Sequence, residues 1–260
     1  QIQKLETRFK GFFIDWAQKG SATGYDVEYS VNANMSGAVS KHLTANKPDT
    51  LTVSGLSGDK VYYVRVRSYT NVNGKVYYGA WSDIKSIKTA NNDITKATVS
   101  GISTKAFTGK AITQNVTVKV GNTVLKNGTD YTVSYSNNKN VGKATVKITG
   151  KGKYGGVITK TFKINPAKQE IQKLTAKSKA FFVDWAQKGS ATGYEIQYAT
   201  NSKFTGAKKV TITNNKTDKT TVSKLSANKK YYVRVRSYTT VGGTKYYGAW
   251  SAVKNVTTKK

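Results

Sequence analysis

Apolar and polar residues alternate along this chain in short runs. Phe12, Ile14 and Trp16 alternate with Phe13 and Asp15; Tyr25, Val27 and Tyr29 alternate with Asp26 and Glu28. Further on, Tyr62, Val64, Val66 and Ser68 alternate with Tyr63, Arg65, Arg67 and Tyr69. A period of two sends the two sets to opposite faces of a sheet. This predicts an outward face bearing Tyr63, Arg65, Arg67 and Tyr69. The runs end in Gly-, Asn-, Ser- and Lys-rich turns, among them the hairpin signals Asn73-Gly74 and Gly242-Gly243. Strong helical periodicity is missing, and proline occurs only at Pro48 and Pro166.

The pattern repeats. Trp16–Tyr25 returns letter for letter as Trp185–Tyr194, and the offset of 169 holds from Leu5/Leu174 through Tyr62/Tyr231 to Trp81/Trp250. Each copy offers about seven short strands, the content of a β-sandwich. Between the copies, Val116, Val118 and Val120 alternate with Thr117 and Lys119, and Ala144, Val146 and Ile148 with Thr145 and Lys147. The expected fold class is therefore all-β: three consecutive antiparallel β-sandwich domains over 1–90, 91–167 and 168–260 in an extended array. The junctions near Ala90–Asp93 and Pro166–Gln169 are short, which limits freedom between blocks.

Charge sharpens this picture. The net charge is +30, rising from +5 over 1–90 to +10 over 91–167 and +15 over 168–260, and 38 of the 43 basic residues are Lys. Lys is a hydrated point charge, whereas Arg is the planar reader of phosphates and bases. The balance suits diffuse attraction to a polyanion, or solubility alone. Lys208, Lys209, Lys229, Lys230, Lys259 and Lys260 are the candidate polyanion contacts. With no Arg-rich element or RNA motif, no specific nucleic-acid partner is expected. Absence of cysteine removes disulfides, thiolate nucleophiles and Cys-ligated metals. No apolar run reaches membrane-spanning length. Gln1 is not a start residue, so a processed form or excised fragment is expected.

Each outer copy resembles a fibronectin type III domain. Trp16 and Trp185 fit its core strand-B Trp. Tyr25–Tyr29 and Tyr194–Tyr198 fit its third strand. Leu56…Tyr62-Tyr63-Val64-Arg65-Val66 and its counterpart from Leu225 fit the entry to its sixth. Gly58 and Ala227 depart from the family's turn Pro, and Lys60 and Lys229 from its Thr. The middle block is similar to bacterial immunoglobulin-like repeats through Phe107–Lys110, Gly128–Val133 and Gly150–Gly156. Together with Tyr-Tyr-Gly-Ala-Trp-Ser, these words look like modules of surface proteins from Gram-positive bacteria. The resemblance implies a secreted or cell-surface location.

Candidate chemistry is sparse. Tyr63, Arg65, Arg67 and Trp81, with Tyr232, Arg234, Arg236 and Trp250, can form an Arg–aromatic ladder. It resembles the Arg/Trp stack of cytokine-receptor fibronectin domains. Two uses are open: a zipper that locks neighbouring strands, or an aromatic platform for sugar rings or bases. Asp26, Glu28 and Glu195 are expected on an outward face, in cross-strand charge pairs. His42 is the one histidine, expected as a surface strand residue without a catalytic or metal partner. Gly150–Gly156 lacks the ending of a phosphate loop and is expected to be a flexible hairpin connection. No catalytic, cofactor or metal site is expected. The expected role is a non-catalytic, monomeric spacer or adhesion array, associating through Lys with anionic cell-wall polymer. The alternative is glycan recognition, as accessory modules of a carbohydrate-active enzyme or as a mucin or host-protein adhesin.

Overall fold

Alternation becomes sheet throughout. The computed structural model describes every residue except Pro48, Lys188 and Ser190; the last two belong to the repeated decapeptide and, with Pro48, lie outside the described residues. Among the described residues there is no α-helix, and no helix long and apolar enough to cross a membrane. The chain forms two units. One comprises Gln1–Ser100, Val116–Ser134 and Lys147–Thr159; the other comprises Gly101–Asn115, Tyr135–Val146 and Lys160–Lys260.

In the first unit, the first copy builds β1 (Ile2–Arg8), β2 (Gly11–Trp16), β3 (Gly24–Ser30), β4 (Val39–Leu43), β5 (Thr50–Val53), β6 (Val61–Val72), β7 (Lys75–Tyr78) and β8 (Lys85–Lys88). One sheet runs β1-β2-β5. The other runs β4-β3-β6-β7, with β8 also pairing β6. Phe12, Ile14 and Trp16 from one sheet and Tyr25, Val27, Val64 and Val66 from the other are buried between them. Burying a side chain of this size contributes about 1.5–3 kcal/mol. The last edge is broken between β7 and β8, and Ser82 bridges the break. Its Oγ accepts from Val66 N–H at 3.1 Å, while its own N–H donates to Val66 O at 2.8 Å.

The middle block contributes β9 (Asn92–Asp93), β10 (Thr98–Ser100), β11 (Lys105–Ala106), β12 (Thr117–Val120), β13 (Thr123–Val124), β14 (Tyr131–Ser136), β15 (Gly142–Gly150), β16 (Tyr154–Gly155) and β17 (Val157–Asn165). Within the first unit, β16 lies parallel to β9, pairing Tyr154 with Asn92 and Gly155 with Asp93. A Cβ on Gly155 would stand 2.4 Å from the backbone of Arg8 and Phe9, so only glycine fits. Tyr154, Gly155 and Gly156 are buried. This corrects the expectation of a flexible connection. Gly155 is used for close backbone approach to the first copy, not for freedom.

In the second unit, the second copy builds β18 (Glu170–Lys177), β19 (Ala180–Ala186), β20 (Gly193–Ala199), β21 (Lys208–Ile212), β22 (Lys219–Val222), β23 (Lys230–Val241), β24 (Thr244–Tyr247) and β25 (Lys254–Thr257). The strand order is that of the first copy: β18-β19-β22, and β21-β20-β23-β24 with β25 on β23. Phe181, Val183, Trp185, Tyr194, Ile196, Val233 and Val235 fill its core. The segment before β18 is pinned to this copy. Gln169 is buried, with Nε2 donating to Ala167 O (2.9 Å) and Ser237 Oγ (3.0 Å), and Ser237 Oγ donates to Ala167 O at 3.1 Å.

Candidate functional site

The outward face of β6 is where polar chemistry gathers in the first copy. Register places Glu28 opposite Arg65 and Asp26 opposite Arg67. Arg65 donates to Glu28 Oε2 through Nε (2.9 Å) and Nη2 (2.7 Å); Arg67 Nε donates to Asp26 Oδ2 at 3.0 Å. The broken edge returns Trp81 over both guanidinium groups, with Arg65 Cζ 4.3 Å and Arg67 Cζ 4.4 Å from its ring centre. Tyr78 covers Arg67 from 3.7 Å. Each Arg thus meets a carboxylate along its edge and an aromatic ring on its face. Such ring contacts are worth about 0.5–2 kcal/mol each.

The second copy builds the same face with other parts. Arg236 lies 4.3 Å from Trp250 and 4.0 Å from Tyr247, and donates to Glu195 Oε2 through Nε (2.9 Å) and Nη2 (2.6 Å). Arg234 lies 4.7 Å from Trp250 and 4.0 Å from Phe204, and donates to the neutral Gln197 Oε1. Phe204 replaces Met35, and Gln197 replaces Glu28. The guanidinium that lost its carboxylate has gained a second ring. Burial, and then the neighbouring Arg236, push the Arg234 pKa below its usual value.

The acids sit deeper than alternation implied. Asp26 is 5% and Glu195 2% exposed, because the Arg and Trp side chains roof them. Burial alone would raise the Glu195 carboxyl. Hydrogen bonds from Lys209 and Arg236 outweigh that and hold its pKa below the ordinary value. Tyr69, expected outward, is buried as well. It faces Gly24, whose missing side chain leaves room for the ring, and its hydroxyl donates to Leu43 O at 3.2 Å. Tyr238 takes the same position over Gly193. His42 lies exposed on β4 beside an acid: Nδ1 is 2.6 Å from Asp26 Oδ1, and its ring stacks on Tyr69 at 4.5 Å. In the second copy Thr211 stands opposite Glu195, and Lys209, two residues away, makes the contact at 2.8 Å.

The candidates therefore divide. Arg65, Arg67 and Trp81, and likewise Arg234, Arg236 and Trp250, come together. Tyr63 and Tyr232 stay outside these stacks: Tyr63 is half-buried opposite Ser30, and Tyr232 faces Lys230 Nζ at 5.4 Å. Lys209 is bound to Glu195, while Lys208 is exposed. Lys229, Lys230, Lys259 and Lys260 gather at one end of the second copy. There Thr258 N–H donates to Lys229 O, Lys230 pairs with Thr257, and Lys259 N–H donates to Lys177 O. Phe204 and Gln197 were not among the candidates for the ladder's contacts with Arg, and no motif pointed to them. Among the described residues, no three His, Cys, Asp or Glu side chains group as metal ligands.

Comparison with known proteins finds a family match on the second copy. No curated protein matches the chain. Among solved structures, the FN1–FN3 domains of chicken CNTN1 align over 100% of this chain and 97% of that one, at 16% identity and a TM-score of 0.33. Residues 166–253 match the family model for the fibronectin type III domain, and the chain carries such a domain there.

Proposed function

We propose that this chain is a non-catalytic spacer and adhesion array of a secreted or cell-surface bacterial protein, its Lys-rich faces associating with anionic cell-wall polymer. Fibronectin type III domains are commonly spacer or binding modules. The observation that supports the reading is where charge is already spent. Asp26, Glu28 and Glu195 are bonded to Arg, His or Lys, and the Arg faces are covered by rings. These groups have no free acid–base pair to offer a substrate. Against them stands an excess of exposed Lys, densest in the second copy. Exposed ammonium groups attract a polyanion without fixed geometry, and salt screens them over about 10 Å at 0.1 M.

The test is co-sedimentation with purified Gram-positive wall, with and without its anionic polymer, across a salt series. Association is expected to need the polymer and to weaken steeply with salt. Salt-insensitive association, or none, would reject the electrostatic part.

A further inference from the structure

Beyond diffuse attraction, the second copy holds a discrete cleft of about 280 Å3, lined by Tyr198, Thr205, Lys208, Lys224, Ser226 and Tyr231. We infer that this cleft binds one acidic sugar residue of a glycan, its carboxylate held between Lys208 and Lys224. The inference deepens the binding role proposed above by naming a site and a ligand class.

Four observations carry it. The first is charge: neither Lys208 nor Lys224 has an ion-pair partner among the described residues, so two cations flank one cavity. The second is the difference between copies. The corresponding residues of the first copy are Val39 and Gly55, which carry no charge. The third is backbone. Gly55 has φ +77°, a conformation open to glycine, whereas Lys224 is held at φ +59°. A side chain is disfavoured there, so Lys224 stands where the first copy uses glycine, against its backbone preference. The fourth is a pre-built wall. Asn201 accepts from Thr205 N–H at 3.1 Å and donates to Thr205 O at 2.9 Å, and Leu225 N–H donates to Lys179 O at 2.9 Å behind Lys224.

Shape and polarity select the ligand. At about 280 Å3 the cavity lies just below the usual ligand-pocket range of about 300–1,000 Å3, and suits one ring rather than a polymer segment. Lys208 stands opposite Tyr198 across the strand pair. The Tyr198 hydroxyl has no hydrogen-bond partner among the described residues, and burial, then Tyr231, raise its pKa, so it stays a donor. Thr205 and Ser226 bring hydroxyls to the lining. A hexuronate offers a carboxylate for the two ammonium groups and ring hydroxyls for the rest.

The probe is tetragalacturonate, titrated calorimetrically into the full chain. One saturable site is expected, with no response to neutral maltotetraose. The variant K208V/K224G installs the first copy's residues. It should weaken binding by about tenfold or more, the scale of two partly exposed charge contacts, without lowering the unfolding midpoint. K229A/K230A/K259A should leave affinity within about twofold, since those charges lie outside the cleft. Three results would overturn the inference: no saturable binding, full affinity in K208V/K224G, or equal loss in both variants. Equal competition by inorganic phosphate would show a site for charge alone and overturn the sugar. K208V/K224G should still associate with wall polymer, so failure of the cleft and failure of the array's electrostatic role are read separately.

Discussion

The two copies keep one framework and change how it is neutralised. In the first, Arg65 has Glu28 and Arg67 has Asp26, and Asp26 also holds His42. In the second, Arg234 has only a neutral Gln197 but two rings, and Glu195 takes Lys209 in place of a histidine. Asp26 reaches straight across to His42; Glu195 reaches diagonally to Lys209. Positions facing each other and positions two apart both lie within reach on one sheet face. The comparison teaches that the Arg–Trp stack is the invariant part. The acid, its extra cation and the third ring can be exchanged if every buried charge keeps a partner.

Four experiments would break or sharpen this comparison. The largest effect is expected from G24A and G193A. A Cβ would stand 2.0 Å from Leu43 O in one copy and 2.2 Å from Ile212 O in the other. Both should cost about 3 kcal/mol or more by urea denaturation, because backbone would have to move. Unequal losses would show that the Gly–Tyr pairing is not shared framework. Next, E195A should cost about 3 kcal/mol, since it strands Arg236 and Lys209 around a buried site. E195Q tests the sign of its titration. A carboxyl whose folded pKa is depressed stabilises fully above its unfolded value, about 4.3, and that contribution fades as pH falls through the folded value. E195Q should therefore flatten the acid limb of the stability profile, and an unchanged limb would refute the assignment.

Smaller effects follow. W81A and W250A should each cost about 2 kcal/mol from two lost ring contacts and the exposure of the acids beneath; a thermal unfolding series compares them. The smallest effect is expected from F204M, which restores the first copy's residue and removes one ring from Arg234. A loss of about 0.5–1 kcal/mol is expected. Adding Q197E should recover part of it, because the carboxylate returns to the guanidinium. No recovery would mean that Phe204 does not substitute for the missing charge.

Much of the framework was legible because its cause is local. A period of two along Tyr62–Arg67 sends Tyr62, Val64 and Val66 inward, and the structure buries all three. The repeat placed Trp81 and Trp250 in equivalent positions, and turn residues marked the hairpins. The candidate site was half legible. Arg65, Arg67 and Trp81 could be named, but not the depth of Asp26 and Glu195. Alternation reports which face a side chain leaves by, not what later covers that face. Tyr69 shares the parity of Arg67 and is buried where Gly24 leaves room opposite and the His42 ring stacks on it. His42 gained a partner because register set it across from Asp26.

By itself the sequence determined an all-β chain, two equivalent copies, the inward residues of their strands and an excess of lysine. These depend on side-chain period and composition, which any local window contains. Tertiary structure decided which charges are spent and which remain free. Lys209 is tied to Glu195 while Lys208 opens onto a cleft with Lys224, a residue sixteen positions further along the chain. Adjacent residues in a strand point to opposite faces, and distant ones meet only when strand pairing and turns bring them together.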